Sequence, residues 1–177
     1  MPATEPSAPP GPTKAVVLVG HGAPPRDFPR DLVARLKALE GRRMASGGPM
    51  SAEERDLDAR IRSAPRTADN DPYREGLLAL SAALREALDD EALYVAYNEF
   101  CAPSLEDAVA EAIGHGARVI TVVPSMLTPG GVHSEVEIPE ILARLRVEHA
   151  DVTIRYAWPF DLTRVAAMLA ERARQAL

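Results

Sequence analysis

Apolar and polar positions along the chain follow two alternating rhythms. Lys14–Val19 (KAVVLV) is a short, β-branched apolar run ending at Gly20, which suits a strand buried on both faces. Beyond a Pro-rich turn, Leu32, Val33, Leu36 and Leu39 recur at helical spacing, and Gly41 is expected to close that helix. Asp71-Pro72 reads as an N-cap followed by proline at the first helical position. The apolar stripe Tyr73, Leu77, Leu80, Leu84 and Leu88 then predicts a long helix. Ala92–Tyr97 is a second strand. Ser104 caps a helix whose inner face is Leu105, Val109, Ala112 and Ile113, and Gly114 and Gly116 end it. Arg118–Val123 is a third strand. A helix with Ile141, Leu142 and Leu145 inward follows Pro139 and runs to about His149. Val152–Ala157 is a more polar strand suited to an edge, and Asp161 caps a last helix containing Val165, Met168 and Leu169.

Strands separated by helices imply right-handed crossovers and a parallel sheet covered on both faces. The expected fold is α/β, three-layered, with four parallel strands in the flavodoxin-like order 2-1-3-4. Residues 42–70 interrupt the pattern. Gly47-Gly48-Pro49 breaks the chain, and Ser51-x-x-Glu54 is a capping-box pattern for a short helix through about Arg62. The charge and weak amphipathicity of this stretch read as an insertion, a solvated excursion on the surface in preference to a lid.

The 177 residues fit one domain over 14–177, preceded by a Pro-rich tail, residues 1–13, of disordered composition. At 46% apolar and 26% charged, the composition is that of a globular protein, and no run approaches a membrane span. A net charge of −6 argues against nucleic acid as a partner. The tail lacks the pattern of a signal peptide, so a cytoplasmic location is expected. A single cysteine, Cys101, excludes an intrachain disulfide and a Cys-based metal motif.

Ligands of open parallel sheets bind beyond the carboxyl ends of the strands. His21 lies just past strand 1, between two glycines. Glu99 lies past strand 2, and His133 lies beyond strand 3, after the loop Pro129-Gly130-Gly131. Neighbouring strands are about 4.8 Å apart, so these side chains can meet at one ion. Two imidazoles and a carboxylate suit Fe, Co, Ni or Zn. His115 and His149 sit at helix C-termini, where a cation complements the dipole, so the second Gly-His-Gly-Ala at 114–117 reflects capping. Glu135, Glu137 and Glu140 are assigned mainly to starting a helix, with a supporting role to the site left open. Met126 and Leu127 give the loop an apolar wall, toward a flat ligand or the core. Gly20-x-Gly22 lacks the third glycine of a dinucleotide fingerprint, and no P-loop lysine is present. Cys101 reads as a small buried residue.

Taken in order, Val19-Gly20-His21-Gly22, Asn98-Glu99-Phe100-Cys101-Ala102-Pro103-Ser104-Leu105, Gly116-Ala117-Arg118-Val119 and Pro124…Gly130-Gly131-Val132-His133…Ile138-Pro139 resemble the small class II chelatases. These are the sirohydrochlorin and cobalt chelatases of the siroheme and cobalamin pathways. The resemblance covers roughly residues 14–150. It implies a metal-insertion site at His21, Glu99 and His133, which would be both metal ligands and catalytic groups. It also implies a tetrapyrrole bound near Gly22, Ser125, Met126, Gly130 and Gly131, and pairing of short chains into homodimers. Co²⁺ or Fe²⁺ would be the inserted metal, with Ni²⁺ or Zn²⁺ compatible. The chain departs from the family at Ala23-Pro24-Pro25, at Trp158-Pro159-Phe160-Asp161 and in the 42–70 stretch. Two other readings fit the residues: a non-catalytic metal or tetrapyrrole carrier, and a hydrolase using a bound metal to activate water.

Overall fold

A computed structural model describes residues 13–176, so the expected tail at 1–13 lies, but for Thr13, outside the described residues. Four strands, β1 (Lys14–Gly20), β2 (Ala92–Tyr97), β3 (Val119–Pro124) and β4 (Thr153–Tyr156), form one sheet. Their order is β2-β1-β3-β4 and every pairing is parallel, as the alternation of elements predicts. The helices are α1 (Arg30–Ser46), α2 (Ala52–Arg62), α3 (Pro72–Ala87), α4 (Leu105–Gly114), α5 (Ile138–Glu148) and α6 (Leu162–Gln175). Among the described residues, no helix is long and apolar enough to cross a membrane.

The two-residue period of β1 divides the core. Ala15, Val17 and Val19 face α4 and α5, joining Val109, Ile120, Leu142 and Leu145 in the main cluster. Leu18 faces the other way, toward Leu77 of α3 and Tyr97. Local caps agree with the sequence. Asp71 accepts from the Arg74 N–H, Ser104 and Asp107 form a reciprocal capping box, and Asp161 accepts from Thr163. In α3, Leu77 is buried, but Leu80 lies on the exposed rim of the predicted stripe.

Three expectations are corrected. Gly41 does not end α1. Nothing lies near its missing side chain, and the helix continues through it to Gly47, whose φ of +68° supplies the left-handed C-cap. Residues 42–70 are not a solvated excursion. The Ser51–Glu54 capping box forms, but Leu57 and Ile61 of α2 are buried against Leu36 of α1 and Phe100 in a third apolar cluster. The amphipathicity looked weak because the buried face is narrow, includes the charged Glu54 beside Leu57 and Ile61, and is flanked mostly by charges. Finally, the chain is helical before Pro139. His133–Glu137 forms one π-helical turn leading into α5, in which the Ile138 N–H bonds to the His133 carbonyl. Pro139 has no N–H to continue an α-helical ladder, and the wider turn accommodates that gap.

Candidate metal centre

Parallel pairing of β1 and β2 continues past both strands and fixes the first two candidate ligands. The Asn98 N–H donates to the Gly20 carbonyl at 2.9 Å, and the Glu99 N–H donates to that of His21 at 2.8 Å. The turn after His21 is possible only with glycine. Gly22 has a φ of +92°, and a Cβ there would lie 1.9 Å from the Glu99 carbonyl oxygen. On the other flank of β1, the Ser125 N–H donates to the Val19 carbonyl at 2.8 Å, and the loop beyond returns with His133 on the first turn of the helical segment.

His21, Glu99 and His133 therefore meet, each offering one ligand atom, with those atoms all within 4.8 Å of one another. The rings stand edge to face with centroids 4.5 Å apart. Hydrogen bonds decide which nitrogens are free. His21 Nδ1 lies 2.8 Å from the Gly22 carbonyl, an acceptor only, so that nitrogen carries the proton and Nε2 keeps its lone pair. His133 Nδ1 lies 2.7 Å from Glu137 Oε2 and 2.9 Å from the Asn98 amide nitrogen; the shorter contact, to an anion that can only accept, puts the proton on Nδ1. His133 Nε2 then faces Glu99 Oε1 at 3.7 Å. Two imidazole lone pairs and one carboxylate converge, a donor set that borderline divalent cations accept.

Carboxylate partners behind metal-binding histidines fix ring orientation and tautomer, and Glu137 stands in that position behind His133. Burial pushes the Glu137 carboxyl up, but hydrogen bonds from His133 and Asn98 outweigh it, and its pKa lies below the ordinary range. The Asn98 amide donates to the same Oε2 at 2.6 Å. On the opposite side, Glu99 Oε2 accepts from Lys37 Nζ at 2.7 Å. Lys37 also reaches Glu40 at 2.9 Å and lies 4.8 Å from the centre of the Phe100 ring. Partial burial pulls the ammonium pKa down, but bonds to Glu99 and Glu40 more than offset it and the net shift is upward.

The loop carrying Glu99 is held from behind by the 42–70 stretch. Arg62 donates to the carbonyls of Asn98 and Cys101, at 3.0 and 2.9 Å. Buried Arg66 donates to the carbonyls of Phe100, Ala23 and Ile61 and pairs with Asp71. Phe100 itself takes a φ of +58°, a left-handed conformation that costs a bulky residue and that these carbonyl bonds support.

The expected ring-binding residues fall differently. Met126 packs on the main core cluster. Gly130 and Gly131 are exposed, and the Gly130 N–H is bound by the Glu135 carboxylate. A cavity of about 800 Å³ opens beside Glu99, between α1, α2 and α5; Glu99, Asn98 and Glu137 line it with Lys37, Arg43, Arg62 and Arg144, whereas His21 and His133 do not. Gly22, Ser125, Met126, Gly130 and Gly131 do not line it. His115 and His149 are helix C-caps, as expected, and His115 Nδ1 meets the Tyr94 hydroxyl at 2.9 Å. The supporting role left open for Glu137 is the one seen: no side chain caps the helix start, and Glu137 is turned to His133. Its spacing of four residues from His133 was the available signal, hidden by placing the helix start after Pro139. Lys37 and Arg62 carried no local signal.

The fold has counterparts among known proteins. The pattern of the CbiX family matches residues 67–176. No curated protein sequence matches the chain significantly. Among solved structures, the cobalt complex of the sirohydrochlorin chelatase SirB from Bacillus subtilis subspecies spizizenii is similar at a TM-score of 0.51 and 18% identity. That likeness covers 83% of this chain but 43% of SirB, so the chain spans less than half of that protein's length. A protein assigned to cobalamin (vitamin B12) biosynthesis, CbiX from Marinobacter aquaeolei VT8, is similar at a TM-score of 0.57 and 22% identity, over 92% of this chain and 96% of that one. With the family pattern matched over more than half its length, the chain belongs to the CbiX family of class II chelatases.

Proposed function

We propose that this protein inserts Co²⁺ or Fe²⁺ into a sirohydrochlorin-like tetrapyrrole, with His21, Glu99 and His133 holding the metal as substrate. The observation that carries this reading is the convergence of two imidazole lone pairs and one carboxylate in a member of the CbiX family. The adjoining cavity of about 800 Å³ is in the upper range for small-molecule sites and is the place for the ring. Its lysine and arginines are each paired with a carboxylate of the same wall, so an anionic ligand would have to compete for them.

Insertion replaces two pyrrole N–H protons by one dication, so two protons must leave as the metal crosses. Each protein ligand released by the departing metal regains a basic lone pair at that moment and can take one of them. Glu137 keeps His133 in the tautomer whose Nε2 is free, and the Gly22 carbonyl does the same for His21. The reading extends to a pair of identical chains. Supporting it are the exposed apolar residues Leu162, Met168 and Leu169 along α6 and the chain's spanning less than half of SirB.

The test is metal insertion followed by the absorbance of the ring, with Co²⁺ and with Fe²⁺ in turn. Acceleration over free metal, lost in His21→Ala and His133→Ala, is the expected result. Full activity in both variants overturns the site, and tight binding without acceleration replaces the enzyme by a carrier.

A further inference from the structure

A buried carboxylate awaiting a dication needs a counter-charge in the meantime, because an unpaired ion in such a place is strongly unfavourable. Glu99 has one. Its side chain is 10% exposed, and Oε2 is bound by Lys37 Nζ at 2.7 Å. Oε1 is left facing His133 Nε2 at 3.7 Å. Lys37 itself reaches the surface. Its side chain is 43% exposed, extends from α1 along the cavity wall, and touches the ring of Phe100 and the carboxylate of Glu40. The ammonium thus has a second anion at 2.9 Å and open cavity beside it.

We infer that Lys37 is a tethered counter-ion that holds Glu99 in readiness and weakens the grip of the site on its metal. It acts on the metal only through Glu99, as a positioning residue. Two effects follow from one contact. Before metal arrives, the Lys37 bond fixes the carboxylate with Oε1 turned to the imidazoles. Once a dication shares that carboxylate, the ammonium withdraws part of its charge and repels the ion, so the complex is looser than two histidines and a free glutamate would make it. A protein that must hand its metal to a ring benefits from a loose complex, since each increment of ground-state affinity adds to the barrier for transfer. Reciprocity adds a coupling: an anionic ligand that draws Lys37 into the cavity, such as a carboxylate of the ring, changes metal affinity by the same factor as metal changes its own.

This inference rests on the proposed site, and the experiment separates the two. Co²⁺ affinity of the full chain is measured by competition with a chromophoric chelator, and Co²⁺ release is timed by rapid mixing with excess EDTA. Lys37→Met, which keeps the aliphatic stem over Phe100, is expected to bind about tenfold more tightly and to release more slowly. Lys37→Arg, which keeps the charge, restores wild-type values. Lys37→Gln serves as a second neutral variant should Lys37→Met fold poorly. If the neutral variants bind Co²⁺ equally or more weakly, Lys37 only shapes the loop and the inference falls while the site stands. If wild-type protein binds no Co²⁺, the proposed site falls and this inference with it.

Discussion

Removing the carboxylate behind His133 tests the centre through a residue that would not touch the metal. In Glu137→Ala, His133 Nδ1 loses its acceptor at 2.7 Å and keeps only the Asn98 amide at 2.9 Å, a donor that favours the tautomer with its proton on Nε2, where the metal would bind. Both side chains are largely covered, 19% and 22% exposed, so solvent screens the interaction little. A hydrogen bond to a charged group contributes about 1.5–3 kcal/mol, and about 1.4 kcal/mol is a tenfold change in affinity. Metal affinity is therefore expected to fall about 10- to 100-fold, the range seen for partners of metal-bound histidines elsewhere. Glu137→Gln retains an oxygen acceptor without the charge and should lie between wild type and Glu137→Ala. The assay is Co²⁺ titration against a competing chelator near neutral pH, with thermal melting of each metal-free variant to separate site from fold. Glu137→Ala affinity within about twofold of wild type would refute the reasoning, since the ring would then be held by something other than Glu137.

Further outcomes follow from packing and burial. Ile61→Ala should cost about 2–5 kcal/mol, seen as a shift in the urea midpoint, because Ile61 is fully buried between α2, Leu36 and Phe100; a change under about 0.5 kcal/mol would mean that α2 is a surface excursion after all. The Tyr97 hydroxyl is buried with no hydrogen-bond partner among the described residues, and burial pushes its pKa up to about 12. The unfolded chain loses this proton near pH 10 and the folded one near 12, so the contribution to stability is intact below 10 and declines as pH rises between the two, by about 2–3 kcal/mol. Tyr97→Phe should flatten that alkaline decline in denaturant titrations and leave stability at neutral pH equal or higher; a decline as steep as in wild type would contradict it.

Much of the site was legible because its ligands stand next to strand ends. The apolar runs before Gly20, Tyr97 and Pro124 locate three carboxyl ends, and alternation with helices makes them neighbours in the sheet. That places His21 and Glu99 side by side without coordinates. His133 needed the loop to fold back, and the sequence permits this without requiring it. The surroundings were harder. Glu137 read as a helix-starting acid because the π-turn before Pro139 has no distinctive composition. Gly22, Gly130 and Gly131, expected near a ring for their flexibility, do not line the cavity between α1, α2 and α5.

By itself, then, the sequence determined the strands, their order, most caps and the placing of His21 and Glu99 at neighbouring strand ends. All of these depend on local periodicity and on where each strand stops. Tertiary structure alone decided what holds those ligands. Lys37 reaches Glu99 across 62 positions, and Arg62 reaches the Asn98 carbonyl across 36. Contacts of that kind depend on how α1 and α2 lean over the sheet edge. Packing of Leu36, Leu57, Ile61 and Phe100 sets that lean, and no single segment encodes it.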